Sequence, residues 1–160
     1  MLYYRVVRVK ENKTFLEGMN MAAGDKLAAF KGGCNYNYAG KEAFKRAGMK
    51  FLRDTVKVLG WVKDTYDIRY NAGGIAVSGD CRLHADSVYV TFNADDFSGM
   101  GILIRTCGGR EDYTGGRNQY VSFENLTVER FAEIVARVAA ENHTPSYGGT
   151  PIRHAVDVTR

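Results

Sequence analysis

Residues 87–107 read SVYVTFNADDFSGMGILIRTC, and the fold follows from how this stretch is parsed. Val88, Val90 and Phe92 alternate with Tyr89 and Thr91. A period of two with one apolar face is the signature of a half-buried strand. Residues 94–101 carry Asp95, Asp96, Gly99 and Gly101, which is turn chemistry. Residues 102–107, ILIRTC, form a second strand. A connection this short joins antiparallel neighbours, because a parallel return needs a long crossover.

The same pattern extends in both directions. Upstream, Tyr66, Ile68 and Tyr70 alternate with Asp67 and Arg69, and residues 71–74, NAGG, make a turn. Ile75 and Val77 begin a return strand, Ser78-Gly79-Asp80 interrupts it, and residues 81–84 continue it. Downstream, residues 119–123 read as a further strand. Near the start, residues 2–9, LYYRVVRV, are rich in β-branched and aromatic side chains and read as a first strand. Residues 152–158 are expected to pair as a terminal one.

Three segments have helical character. Residues 25–31 are expected to form a short helix, with Asp25 as cap and Gly32 as stop. Residues 32–41, rich in Gly, Asn and Tyr, read as a loop displaying Tyr36 and Tyr38. Residues 41–59 place Phe44, Ala47, Phe51, Leu52, Val58 and Leu59 on one face, with Gly60 as stop. Residues 127–141 follow Thr127 as cap, with Glu129 in the positive first turn and Phe131, Ile134, Val135 and Val138 facing the core. The expected fold is therefore α+β: an antiparallel sheet of about five or six strands with two main helices packed on it. Residues 1–141 form one domain. Residues 142–160, with Pro145 and Pro151, form an extended tail that docks on the domain or on another subunit.

The chain has 160 residues, 45% of them apolar and 25% charged, which suits one soluble domain. Its net charge of +4 favours acidic partners. Cys34, Cys81 and Cys107 are far apart and odd in number, so no disulfide framework is expected, and a reducing, cytoplasmic setting is. No run approaches the roughly 18 apolar residues of a membrane span. Cys81-x-x-His84 is the one close Cys–His pair, and on a strand its members point to opposite faces, so no metal site is expected. Cys107 or Cys81 with His84 is left as a possible nucleophile pair, with buried thiols as the plainer alternative. No cofactor motif is present.

The candidate site is residues 105–120, RTCGGREDYTGGRNQY. Gly108, Gly109, Gly115 and Gly116 let backbone N–H groups approach an anion. Arg105, Arg110 and Arg117 offer guanidinium forks, and Tyr113 and Tyr120 offer rings for a base. Against this, Glu111 and Asp112 can neutralise the loop's own arginines. A second basic feature is the helix stripe Arg46, Lys50, Arg53 and Lys57. If the stripe and the loop share a side, they suit an extended polyanion. A phosphate-bearing ligand, nucleic acid first, is the expected partner; homo-oligomerisation through the tail is the other expected association.

Residues 66–121, with the runs YNAGGIAVSGDCRLHADSVYVTF and RTCGGREDYTGGRNQY, resemble short proteins encoded by tailed bacteriophages. The resemblance carries no catalytic residues. It implies a small accessory factor of the host cytoplasm that binds nucleic acid or interferes with host defence or replication. The alternatives are thus a protein-directed, anti-CRISPR-like inhibitor and a small enzyme acting on nucleotides or nucleic acid. The basic charge argues against a mimic of DNA.

Overall fold

The computed structural model describes residues 22–31, 38–73, 79–95, 99–145 and 156–157. The expected first strand at 2–9, the start of the return strand at Ile75 and Val77, Tyr36 and Cys34 lie outside the described residues. Three helices are described: α1 (Ala23–Ala28), α2 (Tyr38–Leu59) and α3 (Val128–Ala139). They accompany β1 (Tyr66–Asn71), β2 (Asp80–Ala85), β3 (Val88–Asn93), β4 (Gly101–Thr106), β5 (Gln119–Ser122) and β6 (Val156–Asp157). The strands lie in one sheet in chain order. Neighbours from β1 to β5 are antiparallel, and β6 adds to β5 in parallel. The fold is α+β with an open sheet.

The register sorts the strand residues into two faces. Ile68, Leu83, Val90 and Ile104 are successive partners in one row, facing the helices. Leu83, Val88, Val90, Phe92, Ile102 and Ile104 are fully buried there. Helix α2 reaches this face so closely that a Cβ on Gly48 would stand 2.6 Å from Cys81 Sγ. Phe51, Phe92 and Phe131 join α2, β3 and α3 through ring centroids 5.6 Å apart. Such edge-to-face and tilted contacts add to the area they bury.

Helix ends follow their capping chemistry. Gly60 takes a φ of 67°, and Trp61 N–H and Gly60 N–H bond to the carbonyls of Val56 and Lys57 at 3.1 Å. This is the paired closure for which a left-handed glycine is suited. Thr127 Oγ1 accepts the Arg130 N–H at 3.1 Å and caps α3 as its sequence predicts.

Three local expectations are corrected. Helix α2 begins at Tyr38, inside the stretch expected to be a loop. Val58 is half exposed, and Thr55 takes a core place instead, its hydroxyl satisfied by the Phe51 carbonyl at 2.8 Å. That back-bond is what lets a hydroxyl sit on a buried helix face. Asp25 lies within α1 rather than capping it, and its carboxylate instead accepts the Asn125 N–H at 2.8 Å.

Candidate functional site

The second row of partners, Asp67, His84, Tyr89 and Arg105, points away from α2 and α3. Two residues along lies Arg69, Arg82, Thr91, Leu103 and Tyr120 on the same face. Among the described residues no helix covers this face; the loop 107–118 does.

The loop is anchored at both ends. At its start, Cys107 N–H bonds to the Ser87 carbonyl at 3.1 Å. Asp112 then closes a turn, accepting the N–H groups of Gly108 at 2.7 Å and Thr114 at 3.0 Å. Burial works to raise the Asp112 carboxyl, but those N–H groups, the Thr114 hydroxyl and His143 together hold it below the usual value. His143 bridges Asp112, 3.4 Å from Nε2, and Thr106, 3.1 Å from Nδ1. Gly116 N–H bonds to the Thr144 carbonyl at 2.7 Å, so the chain after α3 straps the loop's far end.

The two glycine pairs do different work. Gly115 and Gly116 are buried with φ of 77° and 71°, and a Cβ on Gly116 would meet the Thr106 carbonyl oxygen at 2.5 Å. They let the loop lie flat on β4. Gly109 has open space where a side chain would be, and Gly108 is exposed.

The arginines also divide. Arg105 is buried, donates to the Gly115 carbonyl at 2.6 Å and lies 4.9 Å over the Tyr89 ring. Arg110 is paired, but not with Glu111 or Asp112. Its Nε meets Asp86 at 3.2 Å, its Nη1 lies 3.7 Å from Asp67, and its Nη2 donates to the Asp64 carbonyl. Arg117 is exposed and forms no ion pair with another described residue. Tyr120 is half-buried on β5. Tyr113 is 48% exposed, with its ring over His84 and Tyr89 at 5.2 and 6.0 Å.

Arg69, Arg82, His84, Tyr89, Arg110 and Tyr113, with Asp67, line a cleft of about 150 Å³. Arg69 is 3.6 Å from Asp67 and keeps 64% of its side chain exposed. Arg82 forks onto Asp80, with Nη2 3.0 Å from the carboxylate. His84 is 5% exposed, and its Nε2 has no hydrogen-bond partner, alone among buried side-chain nitrogens and oxygens of the described residues. Burial pushes its pKa down, a backbone hydrogen bond with Gly109 opposes this, and Arg105 adds to the fall. The ring is therefore neutral near pH 7. Arg69, Arg82 and His84 were not nominated as a group from the sequence. The signal was their place on the polar side of period-two strands; only the register brings them together.

The helix stripe is elsewhere. Arg46, Lys50, Arg53 and Lys57 are exposed on α2, which covers the other face of the sheet. Lys50 pairs with Asp54. The stripe and the loop thus lie on opposite layers, and no single surface carries both. The loop reaches the segment after α2 through Arg110, which donates to the Asp64 carbonyl.

The two described cysteines are both buried. Burial, aided by Asp80, pushes the Cys81 thiol up to about 12, and burial likewise raises Cys107. Cys81 faces α2 while His84 faces the loop, so that pair cannot act together. No group of three potential metal ligands occurs among the described residues. Among the described residues no helix is long and apolar enough to cross a membrane.

Compared with known proteins, the chain matches no family model, no curated protein and no solved structure.

Proposed function

We propose that this protein is a small accessory binding protein that engages a phosphate-bearing ligand, nucleic acid first, on the loop-covered face of its sheet. The observation that carries this reading is the cleft in which Arg69, Arg82 and Arg110 surround Tyr89 and Tyr113. Arg110 is held by two carboxylates and serves to fix the loop. Arg69, 64% exposed beside Asp67, and Arg82, forked onto Asp80, stand at the rim as the cations that meet phosphate by exchanging a carboxylate for it. The likeness to phage accessory proteins agrees with such a role.

Fluorescence anisotropy with labelled single-stranded oligonucleotides tests it. Two phosphate contacts predict about a sevenfold loss of affinity between roughly 50 and 200 mM salt, from a slope of about −0.7 per contact. Arg69→Ala and Arg82→Ala each flatten that slope, while Arg46→Ala on the far layer leaves it unchanged. Binding that ignores salt, or no binding, overturns the proposal.

A second reading, a small enzyme acting on nucleotides or nucleic acid, is favoured by one observation. A neutral His84 shares the cleft with Arg110 and Asp67, and a neutral imidazole is a general base. Intact oligonucleotide after prolonged incubation at pH 7 to 8 removes this reading and leaves the first.

A further inference from the structure

We infer that the C-terminal end of α2 and the turn after it form a docking surface for an acidic amphipathic helix of a protein partner. The surface lies on the helix layer, away from the cleft, and is independent of the phosphate-ligand reading.

The first argument is exposed apolar area on a pinned backbone. Four large apolar or aromatic side chains are exposed among the described residues, and two of them, Val58 and Val62, stand four positions apart beside Trp61. They are 52% and 70% exposed. Single exposed apolar residues are ordinary, but a group of them marks an interaction site. The backbone that displays them is fixed. Trp61 N–H bonds to the Val56 carbonyl at 3.1 Å. The Val62 carbonyl accepts the Thr65 N–H at 3.1 Å and the Thr65 hydroxyl at 2.6 Å. Valine is also stiff at χ1. A partner that covers these side chains therefore costs them little freedom.

The second argument is shape. Two grooves adjoin here, and Asp54 and Lys57 line both. One, of about 330 Å³, is walled by Trp61 and Tyr66, whose ring centroids are 6.3 Å apart. The other, of about 370 Å³, is walled by Val58 and Val128. Adjoining grooves with apolar walls take successive anchors from one face of a helix, at i and i+3 or i+4. Tryptophan and tyrosine are among the side chains that most often anchor an interface.

The third argument is charge. Arg46, Arg53 and Lys57 are exposed and form no ion pair with another described residue. Lys50 and Asp54 pair with each other, which leaves Glu129 as the one other carboxylate among the residues lining the grooves. From Arg46 to Lys57 the stripe runs about 16 Å along α2, at 1.5 Å per residue. A helix laid alongside repeats its carboxylates once per turn at the same pitch. A second copy of this face would set one basic stripe on another. The chain's own flanking segments are basic too: residues 1–21 carry four Arg and Lys against two Glu, and residues 146–160 carry two Arg against one Asp. Nucleic acid has the required charge, but a phosphate backbone gains nothing from two bare valines.

The probe is a synthetic peptide of about 15 residues, near the threshold for an isolated helix, with leucine on one face and glutamate on the other. Its twin carries lysine in place of glutamate. Trp61 is the only tryptophan of the chain, so its emission reports this surface directly. The glutamate peptide is expected to shift that emission to the blue and to saturate; the lysine twin leaves it unmoved. Val62→Asp weakens binding at least roughly tenfold, since it sets a carboxylate against the acidic peptide. Arg53→Glu with Lys57→Glu reverses the choice, so that the lysine twin binds. All three positions are exposed, which leaves the fold intact. Arg69→Ala, on the other layer, changes nothing. No shift with the glutamate peptide, equal shifts with both twins, or a shift on raising the concentration of the protein alone overturns the inference. So does an oligonucleotide that moves Trp61 emission where the glutamate peptide does not.

Discussion

Asp86 accepts a hydrogen bond from Arg110 Nε across 3.2 Å, joining the β2–β3 turn to the middle of the loop 107–118. The same guanidinium reaches Asp67 on β1 and the Asp64 carbonyl. One side chain thus ties three segments that are remote in sequence. Its planar fork makes this possible, since a point charge cannot address several oxygens in fixed directions.

Removing that fork frees the loop. Arg110→Ala is expected to lower stability by about 1 kcal/mol, the upper end for a solvent-screened pair, as the side chain is 29% exposed. For a chain of this size that is roughly 2–4 °C in Tm. Arg110→Lys restores less than half. Amide exchange read by mass spectrometry rises across residues 108–114 in both variants and stays unchanged in α3.

Asp112 makes loop anchoring sensitive to acid. Its carboxylate accepts the N–H groups of Gly108 and Thr114, and its folded pKa lies below the ordinary value. A lowered folded pKa contributes stability that is fully present above the unfolded value, near about 4. That contribution is lost as pH falls through the folded value. Asp112→Asn is expected to cost about 1–2 kcal/mol at pH 7, the scale of hydrogen bonds to a charged group. Urea unfolding at pH 7 and at pH 3 checks this: the gap between wild type and variant narrows in acid. A gap that is constant with pH removes the carboxylate as the cause.

Gly48 is required by proximity. A Cβ there would stand 2.6 Å from Cys81 Sγ and 3.3 Å from its Cβ. Gly48→Ala gains under about 1 kcal/mol in helix propensity but incurs an overpacking cost of about 1–3 kcal/mol. A net loss is expected in chemical denaturation. Adding Cys81→Ala removes the sulfur and recovers much of it, a coupling that a double-mutant cycle measures. Additive losses would place the strain elsewhere.

Much of the architecture is legible in the chain. Val88, Val90 and Phe92 declare their face because a strand turns its side chains through a period of two. Thr127 and Gly60 mark helix ends because capping is local chemistry. Val58 misled because apolar character alone does not turn a residue inward: the buried positions of that helix end are Leu52, Thr55 and Val56. Thr55 was invisible as a core residue because its polarity is cancelled by its own helix, through the Phe51 carbonyl.

The candidate site is legible only in part. The loop 107–118 stands out by its glycines, arginines and Tyr113, yet its roles are redistributed on folding. Gly115, Gly116 and Arg105 become supports, and Arg110 becomes a clamp. The cleft itself is built from Arg69, Arg82 and His84, on two strands.

The sequence by itself determined the α+β class, an antiparallel sheet and the polar loop that follows β4, because periodicity, turns and caps act within a few residues. The tertiary structure alone decided the strand order, which charges meet and which buried nitrogen is left unpaired. Those outcomes depend on strand register and on distances between segments far apart in the chain, so that Arg110 finds Asp86 rather than Glu111, and His84 keeps Nε2 without a partner.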